Sequence, residues 1–256
     1  MIIDLQVNPA QLPFGEVVEL ALEAEAAGFG AFHVFDHFAG VALGGDTMLE
    51  CFTLLGALTQ VTTTIELGSL VVNVWNRQVG LAVAAAASVA ILADRPFHLG
   101  IGAGSDPASR WATEQLAVDA HIEPDIGVRH RRVAEFIELA DAQWRPDRAE
   151  RHATAPLPRR RPSIVVGVNS VELSELAGKK ADGVNVRWGH PRALEFLEAA
   201  RAAAGEQPFA LTAYALWDEA LLDPGHPDRV AIAAAGVERL TLTAFDGRPR
   251  VPDRVV

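Results

Sequence analysis

Asp36 and His37 are the pair in this sequence best suited to proton chemistry. An imidazole has an unperturbed pKa of about 6.5, so it can give or take a proton near neutrality. The pair closes the run Ala31-Phe32-His33-Val34-Phe35, which has strand character. Neighbours on a strand point to opposite faces, so the two side chains need not serve the same atom. A helix-facing histidine beside a capping aspartate is the plain structural alternative. A second signature is Phe97–Ser105, Phe-His-Leu-Gly-Ile-Gly-Ala-Gly-Ser, where Gly100, Gly102 and Gly104 recur at every second position. Such glycines let something approach the main chain closely, either a ligand or a tight bend in a barrel wall. Third, Asn169 and Ser170 open a helix whose first N–H groups could hold a phosphate, although Glu172 would compete for them. His33 and His98 sit inside strands and read as core or layer residues. No histidine spacing suits a metal, and no Gly-x-Ser-x-Gly nucleophile turn is present.

These residues need elements to position them. Strand signals fall at Ile2–Val7, Ala31–Phe35, Ile65–Val72, Phe97–Gly102, Ser163–Val168, Gly183–Val186, Phe209–Leu216 and Leu240–Thr243. Helical stretches separate them: Phe14–Ala27, a segment opened by a Thr47/Glu50 capping box and ending near Gln60, Arg77–Ala93, Arg129–Trp144, one capped by Asn169, one opened by Pro191, and Arg229–Ala235. Strands alternating with helices imply a parallel sheet, and eight of them in this length match a TIM barrel. An open doubly wound sheet would carry a glycine loop after its first strand, where this chain has Asn8-Pro9. Asp246–Val256 is polar and broken by proline, so the last helix is short or missing. Residues 1–256 read as one domain.

A barrel works at the C-terminal ends of its strands. Asn8, Asp36, His37, Asn73, Ala103, Gly104, Ser105, Gly167, Asn169, Ser170, His190 and Asp218 stand there, with Trp75, Trp188 and Trp217. Broad rings with few charges suit a flat, largely apolar small molecule. The connection Ser105–Val128 has no period, and loops of that length tend to be functional or disordered.

Composition narrows the partners. Half of the 256 residues are apolar, 21% are charged, and the net charge is −11. That balance argues against nucleic acid and against an anionic membrane surface. Val79–Ala93 is apolar but too short to span a bilayer. Cys51 is the one cysteine, which excludes an internal disulfide, and Met1-Ile2-Ile3-Asp4 lacks the basic start of a signal peptide, so a cytoplasmic setting is expected.

Four segments in order resemble the luciferase-like flavin-dependent oxidoreductases, above all the branch using the deazaflavin coenzyme F-420. They are Gly28–Phe38, Leu67–Val72, Arg95–Gly104, and Pro162–Asn169 followed by Ala181–Asn185. The resemblance implies a luciferase-like TIM barrel transferring a hydride between bound deazaflavin and a small organic substrate. It implies Asp36 and His37 beside the reactive ring, with His37 moving the proton and Asp36 orienting ring or substrate. It also implies a non-prolyl cis peptide at Ser69-Leu70, with Ser69, Leu70 and Val72 behind the ring. Ala103, Gly104 and Ser105 would flank the ring, and Gly167, Val168, Asn169 and Ser170 would hold the phosphate. A homodimer is expected. Ser105 stands where some relatives carry an acidic Glu, and Gly40-Val41 where they carry a tryptophan. The rival readings are an FMN-dependent monooxygenase on the same fold and a degenerate, non-catalytic barrel.

Overall fold

The computed structural model describes residues 1–255. Eight parallel strands close into a barrel in chain order: β1 (Ile2–Val7), β2 (Ala31–Val34), β3 (Glu66–Asn73), β4 (Phe97–Gly102), β5 (Ser163–Gly167), β6 (Gly183–Arg187), β7 (Ala210–Leu216) and β8 (Arg239–Ala244). β1 closes the ring on β8, with Leu5 opposite Leu242. The helices are α1 (Phe14–Ala27), α2 (Cys51–Val61), α3 (Val79–Ala93), α4 (Thr113–Ala117), α5 (Ile126–Trp144), α6 (Val171–Lys180), α7 (Ala193–Ala204) and α8 (Pro227–Ala234).

The alternation predicted from sequence is therefore present, and the helix starts are what shift. Glu50 caps α2, its carboxylate accepting from Thr53 N at 2.8 Å, so Thr47 is not the cap. Ser170 rather than Asn169 caps α6, and Arg192 stands at the α7 cap, leaving Pro191 in the turn before it. At α2 and α6 more than one polar residue could cap, and the path of the chain into the helix decides which one reaches the free N–H groups.

The main apolar layer lies between barrel and helices. Leu5, Phe32, Leu67, Leu99, Ile101, Val166 and Val184 are fully buried on the outer wall of the barrel. α5 meets that wall with Val133, Phe136, Ile137, Ala140 and Trp144, the spacing of one helical face. No helix follows β8 among the described residues. The tail instead runs along α1: Arg248 pairs with Glu19 and Glu23, and Val255 N donates to Ala27 O at 2.8 Å. Those contacts hold the tail where a last helix would lie.

Inside the barrel, side chains are polar where such barrels usually stack branched apolar layers. Near the N-terminal ends of the strands, Arg239 grips Asp4 with two bonds of 2.8 and 2.9 Å and also pairs with Glu66. His98 bridges Glu66 and Ser163 at 2.7 and 2.9 Å, and His33 stands 3.6 Å from Asp4. Asp4, His33, His98, Ser163 and Arg239 line a cavity of about 150 Å³. Above it, Gln6 reaches across from β1 to the Leu70 carbonyl and accepts from Thr243, forming a crossbar between this chamber and the mouth.

Candidate active site at the barrel mouth

Asp36 and His37 lie in the loop just beyond β2, and their side chains diverge. Asp36 is 2% exposed and turned into the wall. Both its oxygens are held by the Arg77 fork at 2.6 and 2.8 Å, and Asn73 N donates to it at 3.1 Å. Arg77 also pairs with Glu50 and lies over the rings of Phe38 and Phe52. Burial opposes the guanidinium charge, but the two carboxylates outweigh it and push the Arg77 pKa up. Asp36 thus ties the loop after β2 to the end of β3, and it does not face the mouth as expected from sequence.

His37 does face the mouth. Its Nδ1 lies 2.5 Å from Glu114 Oε2, which also accepts from Phe38 N at 3.1 Å. Glu114 is 1% exposed. A carboxylate on Nδ1 fixes that nitrogen as the donor and leaves Nε2 available to a ligand. With His37, three rings close a circuit of four: Trp111 at 5.4 Å, Phe35 at 6.2 Å, and Phe245 edge-on to Phe35 and Trp111 at 6.0 and 6.3 Å. Glu114 and Trp111 both come from the aperiodic connection after β4. Sequence reasoning marked that connection only by its length and did not pick out either residue. Trp111 brings an aromatic ring to His37, the kind of ring whose absence at Gly40-Val41 the sequence left open.

The glycine row has a cause the sequence could not reveal. β3 carries one extra residue between Ser69 and Val72, a bulge opposite Leu99–Ile101. The non-prolyl cis peptide is Leu70-Val71, one step beyond the expected Ser69-Leu70. A Cβ on Gly100 would strike the Ser69 carbonyl, and one on Gly102 or Gly167 would come within 2.8 or 2.9 Å of the Val71 side chain. The glycines therefore make room for the bulge. Ser69 and Val72 are fully buried, Ser69 Oγ donating to Gly100 O at 3.1 Å, and Leu70 borders the lower cavity. Val71, partly exposed, is the residue the bulge presents over Gly102 and Gly167.

Ala103, Gly104 and Ser105 follow β4 and are partly exposed. Gly104 has φ +83°, and its side-chain position is filled by Asn73 and Trp75. Arg129, buried on α5, donates to Gly104 O at 3.1 Å, yet its Nε has no partner, nor has Nε1 of Trp75. After β5, Gly167 is partly exposed, Val168 packs into the core, and Asn169 is exposed. Ser170 Oγ accepts from Leu173 N at 3.2 Å, so the α6 N-terminus already has a side-chain acceptor. The structure thus brings His37, Val71, Gly104, Ser105, Gly167 and Asn169 to the C-terminal ends of the strands. It leaves Asp36, Ser69, Val72 and Val168 in the wall. Among the described residues no group of side chains is set to hold a metal ion, and no helix is long and apolar enough to cross a membrane.

Comparison with known proteins agrees with this architecture. The sequence model of the luciferase-like monooxygenase family matches residues 3–216. No curated protein matches by sequence. Among solved structures, an F-420-dependent secondary alcohol dehydrogenase bound to an F-420-acetone adduct superposes with a TM-score of 0.77 at 16% identity, covering 98% of this chain and 94% of that one. The coenzyme F-420-dependent tetrahydromethanopterin reductase of Methanopyrus kandleri gives 0.65 at 16% identity, over 93% and 76%. An EDTA monooxygenase from Chelativorans sp. gives 0.68 at 16% identity, over 93% and 67%. At these identities the likeness is one of fold.

Proposed function

This chain belongs to the luciferase-like monooxygenase family, a family of oxidoreductases, and from that premise we propose that it is a deazaflavin-dependent oxidoreductase. It would move a hydride between bound coenzyme F-420 and a small organic substrate. The observation that carries the reading is the His37–Glu114 pair, an imidazole with one nitrogen fixed by a buried carboxylate and the other turned to an aromatic-walled mouth.

The cofactor supplies the hydride chemistry, and the protein supplies position and electrostatics. His37 Nε2 holds or takes the proton that accompanies the hydride, and Glu114 fixes its tautomer and steadies the imidazolium. Phe35, Trp111 and Phe245 wall the ring of His37 with apolar surface. Val71 offers an apolar support for a flat ring. The Arg129 guanidinium, beside Gly104 and 4.0 Å from Asp106, would serve an anionic group of the cofactor better than the capped start of α6 does. Asp36, through Arg77, holds the loop that carries His37.

The test is to incubate the protein with coenzyme F-420 and with FMN separately, desalt, and record absorption. Retention of the deazaflavin supports the reading. Tight FMN with weak deazaflavin would make the protein an FMN-dependent monooxygenase. Retention of neither at tens of micromolar would favour a non-catalytic barrel.

A further inference from the structure

β6 and β7 end in an arrangement that the proposed reaction leaves unused. Asn185 and Thr212 are registered partners, bonded at 2.8 Å, and both line the barrel interior. Two residues on, Arg187 and Tyr214 are partners in the same register. Side chains alternate along a strand, so these two also point inward, one step nearer the C-terminal rim. Tyr214 is half-buried and Arg187 is exposed. Burial pushes the Tyr214 phenol pKa up, and the charge of Arg187, its registered partner, opposes that shift.

Two of the charges on the β2–β4 side of the mouth are already committed. Arg77 is held between Asp36 and Glu50, and Glu114 is held by His37. Arg187, among the described residues, pairs with no carboxylate. An uncommitted guanidinium beside a phenolic hydroxyl, in a chain of net charge −11, is the donor set that takes a planar carboxylate with two parallel bonds. Under the reading above, Arg129 serves the cofactor's anionic group on the β4–β5 side. The group left for Arg187 belongs to the substrate.

We propose that Arg187 and Tyr214 form an anion site on the β6–β7 rim, and that the substrate is a small organic acid whose carboxylate docks there. The acid would enter with its carboxylate on Arg187 and its reacting carbon toward His37. This choice of substrate rests on the oxidoreductase reading, whereas the anion site itself does not.

Binding of benzoate and of its neutral counterpart benzamide, measured by calorimetry, tests the proposal. The parent protein, Arg187→Met and Tyr214→Phe are compared, each alone and with cofactor. The expected result is a preference of about tenfold or more for benzoate in the parent protein. Arg187→Met abolishes it, and Tyr214→Phe weakens it severalfold. In parallel, the preference for FMN over riboflavin stays within about twofold of the parent in Arg187→Met. Equal binding of benzoate and benzamide overturns the proposal, as does a preference that survives Arg187→Met. Loss of the FMN preference in Arg187→Met assigns the site to a cofactor phosphate and overturns the substrate assignment. Because benzoate is also measured without cofactor, failure of the cofactor reading cannot be mistaken for failure of the anion site.

Discussion

Replacing Glu114 by Gln tests the centre of the proposed chemistry while keeping the shape of the side chain. Glu114 Oε2 accepts from two donors, His37 Nδ1 at 2.5 Å and Phe38 N at 3.1 Å, in a position 1% exposed. A hydrogen bond to a charged group contributes about 1.5–3 kcal/mol. The double-mutant cycle Glu114→Gln with His37→Ala, followed by urea unfolding, should return a coupling in that range. At about 1.4 kcal/mol per tenfold, the same interaction made to a developing imidazolium corresponds to a rate loss of about 10- to 150-fold in hydride transfer. A second readout does not depend on turnover. Nitrogen-15 spectra of the His37 ring should show the Nδ1–H tautomer in the parent protein and a mixture in Glu114→Gln, because an amide can donate as well as accept. A coupling below about 0.5 kcal/mol, the scatter expected for independent sites, together with an unchanged tautomer, would refute the assignment of Glu114 as the residue that positions His37.

Arg77→Met should destabilise the protein by about 3–5 kcal/mol, read as a lower urea midpoint, because Asp36 stays buried without its partner. Asp4 should make stability acid-sensitive. Burial raises its pKa, but His33 close by and the two bonds from Arg239 outweigh that and bring it from 3.8 to about 2. The unfolded chain then takes up the proton first as pH falls, so a stabilisation of about 2 kcal/mol is complete above pH ~4 and lost as pH drops through ~2. Urea titrations from pH 5 to 2 should show this slope in the parent protein and a shallower one in Asp4→Asn. Gly100→Ala should cost about 1–3 kcal/mol by driving a methyl group into the Ser69 carbonyl. Gly56→Ala, inside α2 with nothing near its added methyl group, should instead stabilise by about 0.4–1 kcal/mol.

Periodicity made the barrel legible, because each strand run and each helical face must bury one side against the shared apolar layer. Cap residues were harder to read: Glu50 and Ser170 do work that equally suitable neighbours, Thr47 and Asn169, could have done. Of the proposed site, the position of His37 and of the strand ends at Gly104, Ser105 and Gly167 on one rim could be read from sequence, since a parallel barrel gathers its strand ends. Asp36 pointed the other way, and only its bonds to Arg77 on a later loop reveal that. Glu114 and Trp111 could not be found, because no spacing in the Ser105–Val128 connection records which side chains fold back over the mouth. The glycines of β4 were visible as a pattern, yet the Val71 bulge that requires them lies on another strand.

That bulge makes the depth of the mouth a property of missing side chains on β4 and β5. Val71 rests on Gly102 and Gly167, so any methyl group added beneath it would lift it toward solvent and raise the support on which a ring would lie. Cavity volume at the working end could therefore be tuned from below, by substitutions that never touch a ligand.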